Sequence, residues 1–324
     1  MYYFCTYFDQ HYLTRGLALY RSLEQHCQAF RLWVLCMDEA SYYVLSQLNL
    51  PSMQLIALEE LERADEGLRK AKDTRTKVEY YFTTTPALPL YILNTNPDVN
   101  LLTYVDADLY FFHDLTPIYD EIANHSIAII EHRFPEKLRH LEIHGKYNVS
   151  WLSFRRNNEG FACLRWWREQ CLEWCYDRVE DGKFADQKYL EGWPTRFDNI
   201  IVLQHKGANV APWNLMNYAF RFSQDKVMVD EQSLVFFHFH GLRQVTKWLY
   251  NPGFTNYQAR PSRVFLKQVY QPYLQKLALE QQQVDKLLPE KVEKENIRYQ
   301  RSGLRLVKSL IKQRHLVMVG GYVF

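Results

Sequence analysis

The sequence lacks the patterns that mark several specialised classes of protein. No stretch approaches the roughly 20 consecutive apolar residues that a transmembrane helix needs. The N-terminal residues show no basic segment followed by a long apolar one, so we predict no signal peptide and a cytoplasmic location. The six cysteines form no Cys-x-x-Cys pair, which favours reduced core cysteines over a metal or disulfide framework. A net charge of +2 gives no general basic excess and therefore argues against a nucleic-acid partner.

The sequence does contain enough apolar material for a large folded core. Hydrophobic residues make up 47% of the 324 residues and charged residues 23%, a balance typical of a globular chain with one large or two ordinary domains. Aromatic residues reach 15%. This share indicates a large aromatic core or rings on which a base or a sugar stacks, and both can hold together.

Apolar spacing along the chain alternates between the period of strands and that of helices. A strand over residues 1–8, a helix over 13–26 and a strand over 31–37 predict a parallel pair joined by a right-handed crossover. Further helices are predicted over 40–48, 58–67, 78–93 with a break at its prolines, 118–123, 157–179, 184–190 and 261–279. Further strands are predicted over 53–57, 101–105, 126–131, 147–154, 200–203, 227–229 and 234–239. The polar segment 132–145 is predicted to be irregular and on the surface.

The stretch around which the chain is organised is an apolar run over 101–105 followed by Asp106-Ala-Asp108. Burying carboxylates at the edge of a core costs several kcal/mol unless they are paired or bind a cation. Hard oxygen ligands at the carboxyl end of a strand suit a divalent metal. Taken alone, two aspartates after a strand are weak evidence, because acidic loop ends are common.

Three other motifs strengthen this interpretation. An apolar strand ends in His238-Phe-His240-Gly241, where an imidazole can complete a metal site and the glycine lets the backbone approach a phosphate. Asn148 stands at the start of another apolar strand, and Asp186-Gln187 joins an acid to an amide. Singly, each motif is also typical of helix caps and loops.

Together these motifs resemble the GT-A glycosyltransferases, most closely the family-8-like branch of the glycogenin and lipopolysaccharide galactosyltransferase type, from the first strand to about residue 247. The resemblance implies a GT-A, Rossmann-like α/β fold with a mixed, mainly parallel sheet flanked by helices and a C-terminal helical extension. It implies a catalytic domain over 1–260, with a nucleotide-binding half over about 1–112 and an acceptor half over about 113–260. Residues 261–324 would form the extension.

The resemblance also assigns roles to individual residues. Asp106, Asp108 and His238 would bind Mn²⁺ or Mg²⁺, with His240 as the alternative third ligand, and Asp186 and Gln187 would lie beside the donor sugar as catalytic residues. The residues expected to contact the nucleotide-sugar are Thr6, Tyr7, Asp9, Lys77, Asp106, Asn148, Gly241, Arg243 and Lys247. The family's lysine, proline and tryptophan soon after this glycine are not matched, so either Arg243 or Lys247 would meet the diphosphate.

The implied activity is metal-dependent transfer of a hexose or N-acetylhexosamine from a UDP-sugar to a glycan or lipid-linked acceptor, with retention of configuration. The residues around the sugar do not select among hexoses, and residues 132–146 are expected on the acceptor side. A haloacid-dehalogenase-type phosphatase also has Asp-x-Asp after a strand, but here Tyr110 stands two residues after Asp108 and no later Gly-Asp-x-x-x-Asp follows. A non-catalytic nucleotide-sugar-binding module is the other alternative.

The last 24 residues contain no acidic residue from Arg301 onward. Apolar residues recur at helical spacing opposite basic ones, which predicts a basic amphipathic tail. Such a tail either makes a peripheral contact with an anionic membrane, at the inner face of the cytoplasmic membrane, or binds a partner, or packs on its own domain.

Overall fold

The structure of the protein is a computed structural model that describes residues 1–223, 226–246, 248–288, 317–318 and 321–322. Lys247 and the predicted basic amphipathic segment over 301–314 lie outside the described residues.

The strands and helices alternate along the first two thirds of the chain, as the apolar spacing predicts. The strands are β1 (Tyr2–Phe8), β2 (Phe30–Cys36), β3 (Met53–Ala57), β4 (Leu101–Val105), β5 (Leu109–Phe111), β6 (Ile127–Glu131), β7 (Tyr147–Arg155), β8 (Ile200–Leu203), β9 (Phe220–Ser223), β10 (Lys226–Val229), β11 (Gln232–Ser233), β12 (Phe236–His238), β13 (Arg243–Thr246), β14 (Leu249–Asn251), β15 (Val317–Met318) and β16 (Gly321–Tyr322). The α-helices are α1 (Leu13–His26), α2 (Glu39–Leu48), α3 (Leu58–Ala64), α4 (Glu66–Ala71), α5 (Lys77–Thr84), α6 (Ala87–Thr95), α7 (Thr116–Ile122), α8 (Asn158–Glu173), α9 (Trp193–Arg196), α10 (Arg263–Phe265) and α11 (Gln271–Leu287). Turns of 3-10 helix cover Gln10–Tyr12, Lys72–Thr74, Glu136–His144, Lys188–Gly192, Leu215–Asn217 and Phe254–Tyr257, and a π-helical turn, Leu266–Tyr270, joins α10 to α11.

A seven-stranded mixed sheet forms the centre of the fold, in the order β3-β2-β1-β4-β7-β6-β8. β3, β2, β1 and β4 are mutually parallel, β7 is antiparallel to both of its neighbours, and β6 and β8 are parallel. This arrangement confirms the predicted mixed, mainly parallel sheet.

Helices cover both faces of the sheet because its strands are apolar on both sides. In β2, Leu32 and Val34 face the core shared with α1, α2 and α7, while Trp33 and Leu35 face the core shared with α3, α6 and α8. A strand buried on both faces reads as a continuous apolar run, as β2 does. The result is a three-layer α/β/α arrangement.

Three smaller sheets and a C-terminal helix complete the described structure. β5 pairs with β12, β9 to β11 form a meander, and β13 to β16 form a four-stranded sheet. α11 packs on α1, where Ala18 shares a core with Leu274 and Leu277. β15 pairs with β14, so these two residues of the predicted tail, Val317 and Met318, lie against the body of the protein.

Several predicted boundaries were wrong. The helix predicted over 157–179 ends at Glu173, where Tyr189 donates to the carbonyl of Trp174 at 2.7 Å and Arg75 donates to that of Leu172 at 3.2 Å. The helix predicted over 58–67 is two helices, because Asp65 accepts from the N–H of Leu68 and begins α4.

Other helices and strands also begin or end at residues that differ from the prediction, because of tertiary packing. The segment predicted to be irregular, 132–145, contains 3-10 turns over Glu136–His144 and the buried Leu138. The helix predicted over 184–190 is a 3-10 turn over Lys188–Gly192, and the strand predicted over 234–239 is restricted to β12. The helix predicted over 261–279 extends to Leu287 because Glu280 and Val284 are buried on α11.

No helix in the described part of the chain combines the length and the apolar character needed to cross a bilayer.

Candidate active site

The candidate site lies at the edge of the central sheet where β1 and β4 end. β2 and β3 follow β1 on one side and β4 lies on its other side, so the sheet reverses its order between β1 and β4. In open α/β sheets ligands bind beyond the carboxyl ends of strands at such a point. β7 is antiparallel to β4 and pairs Trp151 with Val105, so its first residues reach the same edge.

Asp106, Asp108 and His238 form a cluster that we call the metal corner. The two aspartates stand on the turn between β4 and β5, in which the N–H of Leu109 donates to the carbonyl of Asp106 at 3.2 Å. β12 pairs with β5 and places His238 opposite Leu109. The N–H of Phe239 then donates to the carbonyl of Asp108 at 3.0 Å. This strand pairing brings an imidazole from late in the chain to the two carboxylates.

The side-chain atoms of the metal corner are close enough to share one ion. One ligand atom from each residue lies within 4.8 Å of the others. His238 Nε2 is 3.1 Å from Asp108 Oδ1 and 3.8 Å from Asp106 Oδ2. The Tyr104 hydroxyl donates to Asp106 Oδ1 at 2.9 Å and fixes that carboxylate. His240, the alternative ligand, is exposed, and its ring centre lies 5.5 Å from that of His238.

The three groups perturb one another's protonation. Burial raises the pKa of Asp106, and the repulsion of Asp108 adds to a rise that His238 opposes. For Asp108, burial also acts to raise the pKa, but the charge and the hydrogen bond of His238 lower it below its ordinary value. Burial acts to lower the pKa of His238, yet the charges of Asp108 and Asp106 raise it. A half-buried and a buried carboxylate with opposed pKa shifts form a site that a cation would stabilise.

Asp186 is a second buried carboxyl group near the metal corner. It is 4% exposed, and its backbone carbonyl accepts from Trp167 Nε1 at 2.8 Å. Burial raises the pKa of Asp186 to about 7; the Thr85 hydroxyl opposes the rise and the charge of Asp106 adds to it. Asp186 therefore changes protonation near neutral pH, a property that buried groups at functional sites often have.

His132, Asn148 and Gln187 form a hydrogen-bonded row that we call the amide wall. Asn148 Nδ2 is 3.0 Å from His132 Nε2 and donates to Gln187 Oε1 at 3.2 Å. Gln187 Nε2 donates to the carbonyl of His144 at 3.0 Å. At Gly145, which has φ +133°, an added Cβ would lie 3.1 Å from Gln187 Cγ, so a glycine there gives the glutamine its room.

The predicted nucleoside residues meet at the end of β1. Thr6 is fully buried, and the Tyr7 hydroxyl lies 3.1 Å from Thr85 Oγ1. Asp9 is bound by Lys77, whose Nζ lies 2.8 Å from Asp9 Oδ2, and by the Tyr81 hydroxyl at 3.0 Å. Burial acts to raise the pKa of Asp9, but these partners lower it. Asp9 and Lys77, which were both predicted to contact the nucleotide-sugar, therefore bind each other in an ion pair.

The predicted diphosphate segment follows β12. Gly241 has φ +71° and open space where a Cβ would be, so its backbone is accessible. Arg243 is exposed on β13, and Lys247 lies outside the described residues.

Comparisons with known proteins place the chain in a family. No model of a known protein family matches the sequence. The chain is 34% identical over 251 residues to the uncharacterized protein YfnF of Bacillus subtilis (strain 168), covering 75% of this chain and 82% of YfnF. It is 30% identical over 276 residues to YfnD of the same strain, covering 84% of this chain and 88% of YfnD.

The chain belongs to the family of YfnF and YfnD. Its fold is that of the GT-A glycosyltransferases. The crystal structure of the galactosyltransferase LgtC in complex with donor and acceptor sugar analogs matches 89% of this chain and 98% of LgtC, with a TM-score of 0.51 and 16% identity. The likeness confirms the predicted fold class.

In this YfnF/YfnD family member, one cation near the metal corner was missed by the sequence analysis. Arg15 stands in the first turn of α1, and its Nη2 donates to the carbonyl of Leu242 at 2.8 Å. The guanidinium lies 4.4 Å from the centre of the Tyr12 ring, and its charge contributes to the lowered pKa of Asp108. A basic residue in a first helical turn opposes the helix dipole, which is the sequence signal that marks Arg15 as unusual.

A second residue that the sequence did not single out is His132, which belongs to the segment 132–146 expected on the acceptor side. It is buried, and its backbone carbonyl accepts from Trp213 Nε1 at 2.8 Å and from Asn214 Nδ2 at 2.9 Å. The Trp213 ring lies 5.1 Å from that of His238. Trp213 therefore connects the amide wall to the metal corner.

Proposed function

We propose that the protein is a metal-dependent glycosyltransferase that moves a hexose or N-acetylhexosamine from a UDP-sugar to a glycan or lipid-linked acceptor. The observation that carries this proposal is the metal corner, located at the point of a GT-A fold where strand order reverses. LgtC, which shares the fold, is a galactosyltransferase, and this supports a hexose donor.

The residues present fit a divalent ion. Asp106 and Asp108 supply hard oxygen ligands, His238 supplies an imidazole, and this mixture suits Mn²⁺ and also admits Mg²⁺. A bound ion of this kind would neutralise the charge that develops on the leaving diphosphate as the glycosidic bond breaks.

The chain's own residues supply further stabilisation for the diphosphate. Arg15 is anchored to the carbonyl of Leu242, directly after the accessible backbone of Gly241. A guanidinium held in this way has further N–H groups free to donate to phosphate oxygens. Arg243, exposed on β13, is the second candidate, and Lys247 remains a prediction.

On the sugar side, Asp186 and Gln187 are proposed to flank the reactive face of the donor. Because burial raises the pKa of Asp186 to about 7, this carboxyl group exchanges a proton near physiological pH, and in its charged form it stabilises an oxocarbenium-like centre. Asn148 and Gln187 present amide groups for the sugar hydroxyls. We propose transfer with retention of configuration, and NMR of the new linkage showing an inverted anomeric centre would overturn this part.

Two alternatives make different predictions for the same assay. The phosphatase alternative has lost support, because the fold is that of the GT-A glycosyltransferases. A nucleotide-sugar-binding module without activity would use the same residues, and it is distinguished by turnover.

The test is release of UDP from UDP-glucose, UDP-galactose, UDP-N-acetylglucosamine and UDP-N-acetylgalactosamine, each with Mn²⁺ and with EDTA. We expect slow metal-dependent hydrolysis of one donor, accelerated by an acceptor glycan. Release of inorganic phosphate from a phosphate monoester such as glucose 1-phosphate, with no release of UDP from any UDP-sugar, would favour a phosphatase. Binding of a donor in calorimetry without any turnover, across an acceptor panel, would favour the binding module.

A further inference from the structure

His132 is held on every side although it lies outside the metal corner. Its ring stacks on Phe134, with centres 4.7 Å apart and planes 9° apart, and packs edge-on against Trp213 at 5.2 Å. Its backbone N–H donates to the carbonyl of Lys146 at 3.0 Å. The ring therefore has one orientation in the described structure.

The hydrogen-bond partners of the ring determine which nitrogen carries the proton. His132 Nδ1 lies 3.1 Å from the carbonyl oxygen of Lys146, which can only accept. Burial lowers the pKa of His132 to about 3, so the ring is neutral and carries a single hydrogen. Because Nδ1 faces an acceptor, that hydrogen must be on Nδ1. Nε2 is then an acceptor, and Asn148 Nδ2, at 3.0 Å, must donate to it.

The other end of the row determines the orientation of Gln187. The N–H of Val149 can only donate, and it faces Gln187 Oε1 at 3.5 Å. The carbonyl of His144 can only accept, and it faces Gln187 Nε2 at 3.0 Å. The carboxamide oxygen of Gln187 consequently faces Asn148, which donates to it through its second amide hydrogen at 3.2 Å.

These fixed ends leave one acceptor unused. Both hydrogens of Asn148 Nδ2 are engaged, one by His132 and one by Gln187. Asn148 Oδ1 is buried and accepts no hydrogen bond from any described residue. A buried carbonyl oxygen without a donor costs about 1 to 3 kcal/mol, so such an atom marks a position where a ligand hydroxyl is expected to donate.

We propose that His132 is a positioning residue, which holds the carboxamide of Asn148 so that its oxygen is presented to a sugar hydroxyl. The proposal rests on the proposed function for the identity of that sugar. If His132 could not accept, the Asn148 amide would be held only by its donation to Gln187 Oε1 at 3.2 Å, and its carboxamide would be less firmly oriented. His132 touches no substrate in this scheme and acts through Asn148.

The first test needs no ligand. Long-range ¹H–¹⁵N spectra of protein labelled with ¹⁵N-histidine, at pH 7 and with the His132 signals assigned by their loss in His132→Phe, report the tautomer. We expect a neutral ring with the hydrogen on Nδ1. A hydrogen on Nε2, or a doubly protonated ring, would overturn the proposal even if no donor is ever turned over.

The second test is a double-mutant cycle on UDP-sugar hydrolysis. His132→Phe keeps the ring packing but cannot accept, and we expect kcat to fall about 10- to 100-fold with Mn²⁺ affinity unchanged. His132→Gln, whose carbonyl oxygen can accept from Asn148, should recover most of this loss. In an Asn148→Ala background, His132→Phe should change kcat less than twofold, because its target is gone.

The outcomes distinguish the two proposals. Absence of turnover by the wild-type protein on any donor counts against the proposed function, and the tautomer then decides the role of His132. Equal losses from His132→Phe in both backgrounds would show a structural role and overturn the positioning role. His26→Phe, at the far end of α1 from the site, is the matched control and should leave kcat unchanged.

Discussion

The metal corner and the amide wall belong to the same site but are built on opposite principles. In the metal corner, His238 lowers the pKa of both carboxyl groups, yet burial keeps the pKa of Asp106 above its ordinary value. In the amide wall, neutral groups satisfy one another in a row, except for one oxygen of Asn148. One region therefore carries carboxylates that a cation would stabilise, while the other is hydrogen-bonded before any ligand binds.

The charged groups of this site are therefore separate from its neutral, hydrogen-bonded groups. Electrostatic stabilisation is strongest where groups are fixed before the reaction, and the amide wall meets that condition by hydrogen bonding alone. The metal corner would meet it with the proposed ion bound, because carboxylates at the edge of a core are costly when unpaired.

The largest effect is expected from Asp108→Ala, which removes a ligand from the metal corner. We expect metal-dependent UDP release to fall by at least about 1000-fold and Mn²⁺ binding to be lost, because one of three protein ligands is gone. The fold should remain, since Asp108 stands on the turn between β4 and β5 at the edge of the sheet. Calorimetry with Mn²⁺, circular dichroism and the UDP assay measure these effects.

Asp181→Asn is the matched control for this experiment. Asp181 is exposed in a turn and should retain full metal binding. If Asp108→Ala kept full activity, the assignment of the metal corner would be wrong.

A smaller effect is expected from Arg15→Ala, which removes the cation anchored beside the metal corner. We expect kcat/KM for the donor to fall about 10- to 100-fold, because the diphosphate loses a charge-assisted hydrogen bond. Arg15→Lys should recover part of the loss, since lysine retains the charge but not the planar guanidinium that donates to two partners in a fixed geometry. Steady-state kinetics of UDP release measures the change in kcat/KM. Arg63→Ala, on the exposed side of α3, is the control. Equal kinetics for the Arg15 and Arg63 variants would exclude a diphosphate contact.

Asp186→Asn tests whether buried charge destabilises the site in the absence of metal. An unfolded aspartate has a pKa near 3.9, and burial raises the pKa of Asp186 to about 7 in the folded protein. The folded state therefore binds the proton more tightly, so wild-type stability falls as pH rises from about 4 to 7. The substitution should stabilise the protein by roughly 2 to 3 kcal/mol more at pH 8 than at pH 5.

Urea unfolding in EDTA at the two pH values measures this difference, and activity should fall at the same time. Asp181→Asn again serves as control and should show no pH-dependent gain. The same gain at both pH values would show that Asp186 is not the titrating group.

The smallest effect is expected from Lys77→Ala, at the nucleoside end of the site. The Lys77 side chain is 61% exposed, so its pair with Asp9 should contribute less than about 1 kcal/mol to folding. We expect the donor KM to rise about two- to fivefold and the effect to shrink in 0.5 M salt. Lys70→Ala, which breaks the exposed pair with Glu66, is the matched control for stability. A KM increase beyond tenfold that persists in salt would show a direct contact with the nucleotide.

Local sequence signals predicted the metal corner better than the amide wall. The apolar run that precedes Asp106 and Asp108 predicts a strand, because the apolar residues and the polar residues that end the strand lie within a few positions of each other. Likewise β12 ends at His238, and only the pairing of β12 with β5 was needed to bring His238 to the two aspartates. The sheet and its flanking helices followed from the same alternation.

The amide wall and Arg15 depend on packing between distant segments, which the sequence does not display. His132 belongs to a polar stretch that predicts a surface loop, and its burial results from Phe134 stacking on its ring and Trp213 packing edge-on against it. Arg15 reaches the site because its guanidinium meets the carbonyl of Leu242, more than two hundred residues later. The early end of α8 has the same origin, since its last carbonyls are bonded by Tyr189 and Arg75.

The pairing of β5 with β12 also sets the order in which the site can be assembled during synthesis. Asp108 leaves the ribosome long before His238, and their contact is made only when β12 docks on β5. Because contacts between distant segments form late in folding, a nascent chain that has completed the first four strands still lacks the imidazole ligand. Affinity for metal should therefore appear as one of the last properties of the growing chain, after most of the sheet exists.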